Sequence, residues 1–201
     1  MAKDLLLITP PFTQLNTPYP ATAYLKGFLN TKGISAFQMD LGIEVILKIF
    51  SKDGLRDIFD RAQANNSISS DNCHRIYALK EDYLKTIDSV VSFLQGHNAT
   101  FARQICTPNF LPQAVRFDQL DDLEWAFGSM GHQDKAKHLA TLYLEDLSDF
   151  IVECIDENFG FSRYAERLGR SANSFDELYL HLQNNITYID QLTLDILAER
   201  L

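Results

Sequence analysis

The first apolar positions form an unbroken block, Leu5-Leu-Leu-Ile-Thr9, closed by Pro10 and Pro11. A short continuous run of this kind predicts a strand buried on both faces of a parallel sheet. A turn-rich segment follows. Ala21, Leu25, Phe28 and Leu29 then recur at helical spacing, and Gly33 supplies a left-handed stop. Residues 35–39 predict a second strand, and Asp40 is placed to cap an apolar helix over residues 41–50. The opening fifty residues therefore read as strand, helix, strand, helix.

From there the period is helical. A segment is expected near residues 53–64, followed by a polar loop over 65–70. One long helix should then carry Ile76, Leu79, Tyr83, Ile87, Val90, Val91 and Leu94 inward until Gly96. Residues 106–120, with Pro108 and Pro112, are the most loop-like stretch, with Ala114 to Phe117 a candidate short strand. A second long helix should bury Ala136, Leu139, Tyr143, Leu147, Phe150, Ile151 and Cys154 and end at Asn158 and Gly160. Ser174 to Glu177 has capping-box spacing, and a last helix carries Ile186, Ile189, Ile196 and Leu197. That pattern reaches Leu201 with no stop signal, and only two strands are visible, so the chain is expected to continue into a longer protein.

The fold class is α/β, mainly α: residues 1–50 begin an α/β domain with few parallel strands, and residues 51–201 form a large helical region. Hydrophobic residues make up 46% of the chain, enough for a packed core. Acidic residues outnumber basic ones 27 to 18, and a net charge of -9 repels a phosphate backbone, so nucleic acid is not an expected partner. No segment has the length of a membrane span or a signal-peptide core, which predicts a cytoplasmic protein with no membrane partner. Cys73, Cys106 and Cys154 are widely spaced. They offer no clustered thiolates for zinc or iron-sulfur and read as reduced, structural residues.

The stretch Leu5 to Phe12, then Pro18-Tyr-Pro20, Tyr24-Leu-Lys-Gly27, Gly33 and Asp40-Leu41, resembles the opening of cobalamin-binding domains in radical S-adenosylmethionine proteins. Phe159 to Glu166 also looks like part of the helical insertion of some of these proteins. The resemblance implies a Rossmann-like fold whose first loop faces the cofactor, beyond the carboxyl end of the first strand. Pro10, Pro11, Phe12, Thr13, Gln14, Asn16 and Thr17 would then line the corrin of a cobalamin. Two departures matter. The Asp-x-His-x-x-Gly signature that supplies a histidine to cobalt is absent, and so is the Cys-x-x-x-Cys-x-x-Cys run that holds the radical cluster. An iron-sulfur cluster and S-adenosylmethionine would belong only to the full-length enzyme, completed by the rest of the same polypeptide or a partner domain. The competing reading is a helical protein-interaction or scaffold module.

Weighed residue by residue, the other candidates favour ordinary roles. The polar groups of Thr13, Gln14, Asn16 and Thr17 suit corrin amides and proline-loop backbone equally. Asp40 suits helix capping better than a nucleotide hydroxyl, because no G-x-G-x-x-G precedes it. Glu145, Asp149, Glu153 and Asp156 share a helix face without the Glu-x-x-His partners of di-iron sites, and read as a solvated face. Asp134 with His138 gives too few ligands for a metal. Arg163, Arg167 and Arg170 read as exposed, and Trp125 with Phe127 as core aromatics.

Overall fold

The computed structural model describes residues 5–11, 20–118, 131–161, 175–183 and 186–201. It is mainly helical, with a small parallel sheet at its N-terminal end. Contacts divide the chain into two compact units, Met1–Ile46 with Gly160–Leu201, and Leu47–Phe159.

In the first unit, β1 (Leu5–Thr9) pairs in parallel with β2 (Ala36–Asp40), in register from Leu5 against Ala36 to Thr9 against Asp40. The connection is α1 (Ala21–Thr31). Gly33, at φ +70°, ends that helix as expected, with the Ile34 N–H reaching back to the Leu29 carbonyl at 3.1 Å. Asp40 caps α2 (Leu41–Ile49): its Oδ1 accepts the Ile43 N–H at 3.1 Å.

The expectation that the first strand is buried on both faces is corrected. Leu5 is 43% exposed and Phe37, on β2, is 55% exposed. Among the described residues the sheet has only these two strands, and while Ala36 and Met39 are buried, Leu5, Ile8 and Phe37 are not. α1 buries none of its residues.

Farther along this unit, a helix over Phe175–Gln183, labelled α8, begins where the capping-box spacing places it, although Ser174 lies outside the described residues. The last helix, α9 (Tyr188–Ala198), buries Ile189 and Ile196. It starts at a capping box between Thr187 and Asp190, so Ile186 stands before the helix and is exposed.

The second unit is helical. It contains α3 (Lys52–Ala64), α4 (Asp71–Ala78), α5 (Lys80–Leu94), the short α6 (Ala102–Ile105) and the long α7 (His132–Cys154). α7 buries every residue the stripe assigned to it. It stops four residues before Asn158 because the chain turns at Ile155, where the Asp156 carboxylate accepts the Asn158 N–H at 2.9 Å. Core aromatics interlock across the helices, with Phe59 and Phe150 edge-on at 5.1 Å and Tyr83 and Tyr143 at 5.0 Å.

Two further expectations are corrected. The single helix through Ile76 and Leu94 is two helices, broken at Leu79, whose φ/ψ of -93° and 8° leaves the helical region. Tyr83, Ile87 and Val90 are buried as expected, but at the end of α5 the inward position is Phe93, and Leu94 is exposed. Ala114 to Phe117 do not form a strand. Val115–Phe117 is a 3-10 turn, because side chains take the donors that a strand partner would need. The Ala114 N–H donates to Asp146, Val115 to Asn72 and Arg116 to Asp146.

Candidate functional site

The site expected from the sequence lies at the carboxyl end of β1. Thr9 ends the strand at 2% exposure, opposite Asp40. Pro10, exposed, and Pro11, half-buried, carry the chain out of the sheet. Phe12, Thr13, Gln14, Asn16 and Thr17 lie outside the described residues. The Asp40 carboxylate is engaged by the α2 backbone, accepting the Ile43 N–H.

The acidic face of α7 is not simply solvated. Arg116 forks onto Asp149 and stands 3.9 Å from Glu145. Glu153 accepts the Ser70 N–H at 3.1 Å and the hydroxyls of Ser70 and Ser69 at 2.9 and 3.2 Å. Burial works against the Glu153 carboxylate, but these bonds outweigh it and hold its pKa below the ordinary value. An acidic helix face thus docks one arginine and the N-terminus of α4, whose positive dipole end favours the charge.

Asp146, one position from this face, escaped sequence reasoning. Fully buried, it divides its carboxylate between the backbone N–H groups of Ala114 at 2.8 Å and Arg116 at 3.0 Å. Burial pushes its pKa up, and the two backbone bonds oppose that shift. Burial also raises the phenols of Tyr83 and Tyr143. The Tyr143 hydroxyl meets Thr86 at 3.0 Å and donates to the Tyr83 carbonyl at 3.1 Å. This assembly fastens a loop to the bundle and has the chemistry of a structural anchor.

Among the described residues, no group of three histidine, cysteine, aspartate or glutamate side chains is placed to hold a metal, Asp134 and His138 included. Arg163, Arg167, Arg170, Trp125 and Phe127 lie outside the described residues. An open cleft between α3 and α5 of about 380 Å³ is rich in cations. However, Arg56 bonds Asp53 at 2.7 Å, Lys85 bonds Asp82 at 3.1 Å, and Lys80 sits 4.6 Å over the Tyr77 ring. No described helix is long and apolar enough to cross a membrane.

No family model, no curated protein and no solved structure matches the chain.

Proposed function

We propose that this chain is the N-terminal cobalamin-binding-type module of a radical S-adenosylmethionine enzyme and is not catalytic alone. The observation that carries the reading is the state of its parallel βαβ unit. Parallel sheets are stable when covered on both faces. Here Leu5, Ile8 and Phe37 of the sheet and Tyr24, Leu25 and Phe28 of α1 are all exposed, Tyr24 at 78%. Such a surface suits further βα units, supplied by the rest of the polypeptide or a partner domain, and scattered single apolar residues would not need that explanation.

The proposed place for the corrin is the carboxyl end of β1, because ligands of open α/β sheets bind beyond the carboxyl ends of the strands. When bound there, cobalamin supplies alkyl-transfer or radical chemistry at its cobalt. The chain's own contribution is to hold it through Thr13, Gln14, Asn16 and Thr17, whose side chains suit corrin amides. The first histidine is His74, in the other unit, so β1, α1 and β2 bring no imidazole to the cobalt.

The coding sequence after codon 201 is the test. Further βα units and a Cys-x-x-x-Cys-x-x-Cys run are expected, together with cobalamin absorbance that stays with the full-length protein through gel filtration. A stop codon at that point, or a full-length protein that emerges free of corrin, overturns the proposal.

A further inference from the structure

We propose that the outer face of α1 seats a second helix, from the chain beyond Leu201, which lays an apolar stripe along Tyr24, Leu25 and Phe28 and sets a carboxylate against Lys32. Its place on the same polypeptide rests on the function proposed above, and what is added is the chemistry of the element that covers α1. Ala21, Tyr24, Leu25 and Phe28 fall at i, i+3, i+4 and i+7, one face of the helix, and all four are exposed. Lys32, one turn beyond Phe28, continues that face, with its ammonium 5.6 Å over the Phe28 ring. The half-buried positions of α1, Thr22, Lys26 and Leu29, lie on another side. The helix packs on both strands and still leaves its most apolar face bare.

The charge pattern selects the occupant. Residues 5–39 hold no aspartate or glutamate, in a chain with 27 of them, and their only charges are Lys26 and Lys32. Lys32 has no carboxylate partner among the described residues. The opposite end of α1 is positive as well: no side chain caps its N-terminus, and its first turn carries no acid to offset the helix dipole. A helix lying along α1 is therefore held best if carboxylates stand at both ends of its apolar stripe, about three turns apart. Two copies meeting α1 on α1 would bring no carboxylate, and the net charge of -9 opposes an anionic lipid surface. The occupant is thus an acidic amphipathic helix.

The experiment compares the 201-residue chain with the full-length protein. Hydroxyl-radical footprinting should modify Tyr24 and Phe28 several-fold less in the full-length protein. A carbodiimide, which joins amines to carboxylates in direct contact, should link Lys32 to an aspartate or glutamate beyond residue 201. Phe28→Asp in the full-length protein should restore Tyr24 modification, with circular dichroism showing the fold intact, and Lys32→Glu, at the exposed end of the face, should raise it too. Equal modification of Tyr24 in the two parent proteins, protection that disappears on dilution as a dimer's would, or a Lys32 that links to nothing beyond residue 201 would each overturn the proposal. Corrin absorbance separates this from the cofactor reading. A protein that forms the Lys32 link but carries no corrin keeps the docked helix and loses that reading, whereas one that holds corrin with Tyr24 exposed does the reverse. A gene that ends at codon 201 overturns both.

Discussion

Arg116 forks onto Asp149, with Nε 2.6 Å from Oδ2 and a terminal nitrogen 2.7 Å from Oδ1. One residue thereby ties the loop around Val115–Phe117 to α7 twice, because its backbone N–H also reaches Asp146. The two attachments differ in value. The Arg116 side chain is 44% exposed, so solvent screens the outer pair. The inner bonds end on the fully buried Asp146, and the one from Ala114 is itself buried.

Asp146→Ala should therefore lower unfolding stability by about 3 kcal/mol, the scale of stranding two inward-facing backbone donors. Asp149→Ala should cost about 1 kcal/mol or less. Urea denaturation of both variants checks the contrast, and equal losses would show that the guanidinium pair, rather than the backbone clasp, holds the loop.

Much of this helical unit was legible in the sequence, and the exceptions have a common cause. The α7 stripe is read correctly because its residues from Ala136 to Cys154 repeat at the helix period without interruption. The break at Leu79 is invisible because no glycine or proline marks it and the apolar spacing continues across it. Asp146 is hidden among Glu145 and Asp149, since composition cannot tell an inward carboxylate from two outward ones one turn apart. Ala114 to Phe117 has the composition of a strand, but a strand needs a backbone partner, and here distant side chains supply the acceptors. At β1 the local pattern is read correctly and its burial is not, because burial depends on neighbouring strands that the local pattern does not contain.

Glu153 gives a pH signature. Its pKa is lowered in the fold, so it contributes stability above its ordinary value of 4.5 and loses that contribution as pH falls through the folded value. Glu153→Gln should be less stable than the parent at pH 7, by about 1 kcal/mol or less for so exposed a group. The difference should vanish in acid. Asp146 runs the other way: burial raises its pKa, so its ionisation costs stability as pH rises above the unfolded value. Urea midpoints at pH 4 and pH 7 separate the two, and a gap between Glu153→Gln and parent that widens in acid would refute the assignment.

Two glycines should respond oppositely to alanine. A Cβ on Gly54, at the start of α3, would meet the Lys48 carbonyl oxygen and lie 2.6 Å from that of Ile49, with backbone on both counts. Gly54→Ala should cost about 2 to 3 kcal/mol through overpacking. Gly27, inside α1, has open space around it, and Gly27→Ala should gain about 0.5 to 1 kcal/mol from helix propensity. Thermal melts of the two variants decide it, and a neutral Gly54→Ala would mean that α3 does not approach the end of α2 this closely.

The cofactor role of the loop after β1 can be tested directly in the full-length protein. Thr13→Ala combined with Asn16→Ala removes two side chains proposed to bond corrin amides. Each lost hydrogen bond costs on the order of 1 kcal/mol, so the pair should weaken cobalamin retention by roughly tenfold or more. The fold should survive, because Thr9 and the β1–β2 ladder lie outside the changes. Asp149→Ala is the matched control: it sits in the other unit, paired with Arg116, and should retain cobalamin as the parent does. Corrin absorbance after gel filtration, with circular dichroism to monitor folding, compares the three proteins. A double variant that folds and holds cobalamin as tightly as the parent would remove these two side chains from the site.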